Sequence, residues 1–457
     1  MLPWFHRPRT ALRPARLALR LILPATALVA GCASEGDEAQ LTRIFREAQS
    51  VAAASTSRPA PSTEPAVDAA TPDDYARLAI ARNPRVRAAG ERADRLAAEV
   101  PQARALADPM LMVVPLGAMA ETAAGPVETM IEVSQQLRLP AKYDALGEAA
   151  AGEAAAAAAE HLALQLDIAF EARQAFWNLW LVEQSLEITR RGRDLLDEAR
   201  ANTETRLNVG QAGQADVLRA STELASIENR IVELELDREV AQAALNRLLG
   251  RAADAPVALA TDRVPSVPDG EAVPHPRLVA RAAEIDAARQ RLRLARLGDW
   301  PDLTVQATYG FVGDDGLAVM ANGDDQWSLG FGINLPIWRG ARRAQVRQGT
   351  IAVREGEARL VAERDDVAFE IARARSDVAA QRRLIELFDA TVLPQARQTI
   401  EVADAAYRAG RGDFLTYVDA WRRVLDFELA RCRATADLGH AAADLRRALA
   451  LQEDVQP

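Results

Sequence analysis

Lysine is nearly absent from this chain. Of 457 residues only Lys142 is a lysine, so arginine supplies the rest of the 55 basic side chains, against 65 acidic ones and a net charge of −10. Residues 1–31 carry five of those arginines and no acid, which leaves 50 basic and 65 acidic side chains, a net of −15, from Cys32 onward. Such an acidic remainder excludes a nucleic-acid partner, which requires a concentrated basic surface. The four histidines (His6, His161, His275, His440) and two cysteines are scattered, so neither a metal cluster nor a disulfide framework is expected. No run of 18 uncharged apolar residues occurs, which excludes a membrane-spanning helix. Phosphate-binding glycine loops and nucleophile elbows are missing too, so no catalysis and no cofactor are expected. Aromatics are only 5% of the chain although hydrophobic residues are 49%. Alanine recurs throughout, which is the balance of long helices rather than of a sandwich.

What is present begins with an address. The first 20 residues are basic, and Leu21–Ala30 (LILPATALVA) is a short apolar run, the pattern of a secretory signal. It leads into Leu28-Val29-Ala30-Gly31-Cys32. Small residues before a cysteine resemble the bacterial lipobox; the alternative is an ordinary signal with an incidental cysteine. The lipobox implies a covalent lipid on Cys32. Ala33 and Ser34, rather than an aspartate, then imply sorting to the outer membrane. Multiple acyl chains anchor stably, since each buried methylene adds about 0.8 kcal/mol. Cys432 lies in a helical pattern and is expected to be a small core residue.

The body is written twice. Asn83-Pro84-Arg85 recurs as His275-Pro276-Arg277, and Pro109 as Pro301, both at an offset of 192. Val133, Leu137, Leu139 and Pro140 map onto Leu329, Ile333, Leu335 and Pro336 at 196, and Gly210 onto Gly410 at 200. The expected organisation is a signal over 1–31, a lipidated N-terminus and flexible tether over 32–72, a first repeat over 73–251, a proline-rich connector over 252–274, and a second repeat over 275–452. Each repeat reads as helix, strand, strand, very long helix, turn, long helix.

The four strands carry the strongest signal. From Leu303 to Phe311, Leu303, Val305, Ala307, Tyr309 and Phe311 alternate with Thr304, Gln306, Thr308 and Gly310. From Trp327 to Leu335, Trp327, Leu329, Phe331, Ile333 and Leu335 alternate with Ser328, Gly330, Gly332 and Asn334. Val127–Leu139 alternates likewise, and Met110–Leu116 does so weakly, with Pro115 at an end or edge. Alternation gives one apolar and one polar face. Aromatic ends (Trp300, Tyr309, Phe311, Trp327, Trp338) suit the lipid face and girdles of a membrane barrel. Met110, Met112 and Met130 are expected to face lipid. Four strands cannot close a barrel, so a symmetric oligomer is required. A dimer would give eight strands and a plugged interior; a trimer gives twelve and a lumen, which the polar faces favour.

The helices are too long for a globule: about 144–206 with 214–250, and about 341–392 with 414–451. Val217, Ala220, Leu224, Ile227, Ile231, Leu234, Ala241, Leu245 and Leu248 step by three and four, interrupted only at Arg238, as in a heptad seam. At 1.5 Å per residue such helices reach roughly 55 to 90 Å. Pro394 is expected to break its descending helix.

Long coiled-coil hairpins, strand pairs and an internal duplication behind a lipobox resemble the TolC family of outer-membrane efflux proteins, over about 73–451. The resemblance implies a mainly α fold with membrane β-strands. Antiparallel coiled-coil hairpins and four strands per chain would build a homotrimer, with a 12-stranded barrel continued by a periplasmic helical tunnel. It further implies a passive conduit in the outer-membrane lipid, fed by a periplasmic adaptor and an inner-membrane pump. The tips are Leu207–Leu218 (LNVGQAGQADVL) and Tyr407–Ala420 (YRAGRGDFLTYVDA). By resemblance, Val209, Gly210, Gly213, Gly410 and Gly412 contact the adaptor, and mouth-lining acids follow. Six residues beyond the glycines stand Asp216 and Thr416, and nine beyond stand Arg219 and Asp419; Thr416 departs from the family's acid. Tyr407 matches the tyrosine that latches such mouths, but the basic position of the latch is Gly412, with Arg411 adjacent. A threefold ring of Asp419 carboxylates would disfavour anions; a solvated helix acid is the alternative. Ser134–Lys142 (SQQLRLPAK) resembles the heavy-metal-efflux branch, with Ala141 in place of its glycine. A type I secretion channel and a lipid-anchored periplasmic coiled-coil scaffold are the competing readings.

Overall fold

The computed structural model describes residues 71–116, 121–259, 265–270, 273–314, 316 and 323–451. Cys32 and the tether up to residue 70 lie outside them. Thr71 opens the first helix through a reciprocal cap with Asp74: hydroxyl from Asp74 N–H at 3.1 Å, carboxylate from Thr71 N–H at 2.8 Å. Helices α1 (Pro72–Arg82) and α2 (Pro84–Arg104) are followed by strands β1 (Met110–Pro115), β2 (Glu121–Thr122) and β3 (Gly125–Leu137). The first hairpin is α3 (Pro140–Asn208) with α4 (Gln214–Leu248). The second repeat runs α5 (Pro276–Leu297), β4 (Leu303–Val312), β5 (Gln326–Ile333), α6 (Arg339–Leu387), a π-helical turn (Phe388–Val392), α7 (Leu393–Arg408) and α8 (Phe414–Ala448).

The strands of both repeats join in one antiparallel sheet of order β1-β3-β4-β5, with the two-residue β2, not foreseen from the sequence, paired to β3. Directly paired residues share a face. The register therefore puts Leu111, Val113, Ile131, Val133, Val305, Ala307, Tyr309, Trp327, Leu329 and Phe331 on one side. Glu132, Ser134, Gln136, Thr304, Gln306, Thr308, Gln326 and Ser328 lie on the other. Trp327 and Phe331 are 77% and 68% exposed, so no part of the described chain covers the apolar face. One expectation is overturned here. Met110, Met112 and Met130 pair with Ser134, Glu132 and Val114, which places all three on the polar face. β1 is apolar on both faces, so alternation alone could not assign its methionines.

Helix α3, 69 residues long, packs against α1, α2, α4, α5 and α8. Its alanine run contributes buried Ala149, Ala154, Ala156, Ala157 and Ala159, small side chains that let several helices approach one backbone. In α4 the heptad seam is the inward face: Ala220, Ile227, Leu234, Leu245 and Leu248 are buried, with Val217, Leu224, Ile231 and Ala241 half-buried between them. Arg238, the interruption, is half-buried. Near the middle of the hairpins Tyr75, Phe176, Trp177, Trp180, Leu245 and Leu249 form the largest core. Cys432 belongs to it, 4% exposed, and burial pushes its thiol up to about 11, so it remains an inert thiol.

Pro394 does not break its helix. The turn before it widens to π geometry, with Leu393 N–H bonded to the Phe388 carbonyl, and the chain continues helical to Arg408. A π turn accommodates the ring and the missing donor without loss of direction. Helices α3 and α6–α7 each reach roughly 100 Å as a result.

A buried ion pair ties the repeats together. Lys142, 6% exposed, donates from the start of α3 to Asp302 Oδ1 at 2.7 Å and to the Trp300 carbonyl at 2.8 Å, both just before β4. The lone lysine thus joins the two repeats where strands meet helices. The duplication also reappears as chemistry. Asn83 caps α2 by accepting from Arg85 N–H at 2.9 Å, and His275 caps α5 by accepting from Arg277 N–H at 3.2 Å through Nδ1. Their neighbours Arg85 and Arg277 reach Glu171 and Glu370. The cap requires a neutral imidazole. Burial, reinforced by the Arg277 guanidinium and opposed by Glu370, pushes His275 down to about 4.

Lys142→Ala leaves the half-buried Asp302 without its cation and is expected to cost about 2–4 kcal/mol, somewhat less than a fully buried pair. Lys142→Met with Asp302→Leu should recover most of it, read as urea midpoints in detergent. For His275, the unfolded chain takes up a proton near pH 6.5 that the folded cap refuses until about pH 4. Stability is therefore present above that window and lost as pH falls through it, by up to about 3 kcal/mol. His275→Asn, which copies the first repeat, should flatten this part of the curve; midpoints at pH 7 and 4.5 for the two proteins would measure it.

Candidate functional site: the hairpin tips

Both hairpins end in the same backbone motif. Gly210 and Gly410 adopt φ of +73° and +69°, the left-handed region that glycine enters without a Cβ clash. Gln211 N–H bonds the Arg206 carbonyl at 2.8 Å, and Arg411 N–H bonds the Ala406 carbonyl at 2.9 Å, the six-to-one bond of a Schellman cap. Val209 caps the end of α3 and is 65% exposed, and Gly210, Gly410 and Arg411 are exposed beside it. The return helices are capped by acids. Asp216 Oδ2 accepts from Gly213 N–H at 3.3 Å, and Asp413 Oδ1 accepts from Thr416 N–H at 2.9 Å. The bonds from Thr416 hold the Asp413 carboxyl below the ordinary range. Each carboxylate also faces the positive end of a helix dipole.

Above the turns the two hairpins are fastened together. Tyr407 is 8% exposed and packs with Ala220, Phe414 and Val418. Its hydroxyl lies 3.0 Å from Thr203 Oγ1 of the first hairpin. The Arg206 guanidinium sits 4.5 Å from the Tyr407 ring centroid and donates to the Tyr407 carbonyl, a cation–π contact with a charge-assisted bond. One turn further, Arg422 of α8 forks onto Glu223 of α4, its Nε 2.8 Å from Oε1. Higher still, within the second hairpin, Arg431 forks onto Asp389 of the π turn at 2.9 and 3.2 Å.

The structure separates the residues singled out in the sequence. Tyr407 is inside the fastening, with Arg206 as the basic group over it rather than Gly412 or Arg411. Asp216 serves as a helix cap. Thr416 and Asp419 lie on the exposed face of α8 with Arg423 and Asp426, and Asp419 is 3.8 Å from Arg422. Thr203, Arg206, Glu223 and Arg422 escaped sequence reasoning because their partners lie about 200 residues away. The only local signal was position: Arg206 stands four residues before the tip glycine, as Ala406 does in the second repeat. No group of histidine, cysteine, aspartate and glutamate among the described residues could hold a metal ion, and no described helix is long and apolar enough to cross a membrane.

These features have relatives. The cobalt-zinc-cadmium resistance protein CzcC of Cupriavidus metallidurans is 24% identical over 374 residues, covering 79% of this chain and 85% of that protein. The outer-membrane channel OprN superposes with a TM-score of 0.70 at 21% identity, over 84% of this chain and 90% of that one. The channel CusC superposes with a TM-score of 0.71 at 18% identity, over 83% and 91%. Residues 76–251 and 271–451, the two repeats, match the outer membrane efflux protein family; the chain belongs to that family and is an outer-membrane channel of efflux.

Proposed function

We propose that three copies of this chain close a twelve-stranded barrel in the outer membrane and extend it into the periplasm as a helical tunnel. The observation that carries this reading is the sheet: four strands, one apolar and one polar face, and unpaired outer edges on β1 and β5. Hydrocarbon tolerates no open edge, so β1 of one copy must pair with β5 of the next. The polar faces then line a lumen wide enough for solutes. The exposed stripe Val232, Leu236 and Val240 on α4 supplies a further contact between copies. A lipid on Cys32 anchors the chain beside the barrel. The hairpin tips, through Val209, Gly210, Gly213, Gly410 and Gly412, meet a periplasmic adaptor, which an inner-membrane pump loads. The cargo is a small solute, a metal ion or a drug; the likeness to CzcC supports a metal. A soluble scaffold would not leave Trp327, Leu329, Phe331 and Ile333 uncovered, and no observation favours protein secretion.

Chemically the chain is a passive conduit whose mouth is held by the fastening between hairpins. Arg206, Thr203 and Glu223 belong to the first hairpin, and Tyr407 and Arg422 to the second. Releasing these bonds frees the α7–α8 tip to move outward, and Asp419 then sits at the lip.

Purified protein in detergent should appear by electron microscopy as threefold tubes longer than about 100 Å and should conduct in planar bilayers; rods that need no detergent would refute the barrel. Thr203→Val with Glu223→Gln is expected to raise the open-to-closed ratio about 2- to 10-fold, the scale of one or two lost hydrogen bonds, measured as single-channel open probability. Asp419→Ala should weaken divalent-cation block from the periplasmic side; unchanged block would remove Asp419 from the constriction.

A further inference from the structure

The methionines are confined to one part of the chain. After Met1, every methionine of the sequence lies within residues 110–130 or at position 320, and none lies in the helices α3 to α8. Met110, Met112 and Met130 share the polar face of the sheet, as the register of β1 against β3 requires. Met112 pairs directly with Glu132, and Met130 pairs with Val114, one step along the same face. Met112 and Met130 are therefore diagonal neighbours, about 7–8 Å apart at Cα and within reach of flexible side chains. Met110 and Met112 are 62% and 42% exposed, and none of the three belongs to a hydrophobic cluster.

The same face carries Glu132, Ser134, Gln136, Thr304, Gln306 and Thr308, with Val114 and Gly310 among them, and the thioethers of Met110 and Met112 stand exposed on it. Their chemistry is specific: a neutral, polarisable sulfur donor favours soft d10 monovalent cations and discriminates against hard divalent ones. A carboxylate opposite Met112 supplies the charge that a set of neutral donors lacks. We propose that Met110, Met112, Met130 and Glu132 form a transit site for soft monovalent cations, Cu(I) and Ag(I), on the lumen face of the barrel. The site rests on the reading that the polar face lines the lumen. Three copies repeat it around the axis. Exposed, partly solvated ligands bind weakly enough for the ion to leave again, as a conduit requires.

The test uses the full chain in detergent, in chloride-free nitrate buffer, with Cys432→Ala in every protein to remove the free thiol. Silver nitrate is titrated calorimetrically into this background and into a Met110→Leu/Met112→Leu/Met130→Leu variant, which keeps side-chain volume. The background is expected to bind about one Ag(I) per chain, and the triple variant to lose at least about tenfold in affinity; Zn(II) should not distinguish them. Current through both channels in planar bilayers separates the two readings. A conducting background whose Ag(I) isotherm equals that of the triple variant overturns the site and leaves the barrel standing. Methionine-dependent Ag(I) binding by a protein that does not conduct overturns the lumenal placement. Conduction with Ag(I) block that the triple variant loses supports the proposal in full.

Discussion

A backbone amide in hydrocarbon has no water to bond, and that constraint governs the chain. The sheet formed by the two repeats satisfies the inner edges of its four strands and leaves the outer edges of β1 and β5 open. Such an edge costs several kcal/mol per unpaired group in lipid, so the monomer is not a finished membrane structure. The alternating pattern of β4 and β5 is legible as a two-faced strand only because both faces have a destination: lipid for Leu329 and Phe331, water for Ser328 and Gly330. Closure by further copies supplies both destinations and removes the edges together.

The helices answer a different constraint, distance. A solute leaving the outer membrane must be collected far below it, and a single helix of 69 residues spans roughly 100 Å without a joint. Such a helix cannot be supported by its own amphipathic face alone. α3 is instead surrounded, with buried alanines along its first half and the aromatic core of Phe176, Trp177 and Trp180 beyond them. Where strand gives way to helix, the angle is held by Lys142 on Asp302 and Trp300, contacts between the repeats rather than within one. The duplicated caps Asn83 and His275 fix the starts of α2 and α5, each within its own repeat.

Much of this was legible in sequence, and what was not has a common cause. The strands, the heptad seam of α4 and the tip glycines are written in local periodicity or in a single residue's conformational freedom. The faces of Met110 and Met112 were not legible, because β1 is apolar on both sides and only its pairing to β3 fixes which side is which. Pro394 was misread because a proline rule assumes an α-helical register, and a π turn changes the register before the ring arrives. Arg206, Thr203, Glu223 and Arg422 became visible only when segments some 200 residues apart were placed side by side. At Asp216 and Asp413 the acid answers first to the helix terminus beside it, so a count of acids near the tips overstates the charge available to a mouth.

The two tips look alike in sequence and differ in support. α3 leads to the first tip and is packed along its length by five other helices. α7 leads to the second tip, rests mainly on α8, and begins at the π turn. π turns and prolines concentrate bending because the regular hydrogen-bond ladder is interrupted there. The contacts that restrain α7 and α8 against the first hairpin are mixed. Tyr407 with Thr203 and Arg206, and Arg422 with Glu223, are polar, whereas Tyr407, Phe414 and Val418 around Ala220, and Trp421 against Leu196 and Ile227, are buried and apolar. Under the proposed opening of the mouth, the first hairpin is the fixed wall and the second, hinged at the π turn, is the part that moves against it.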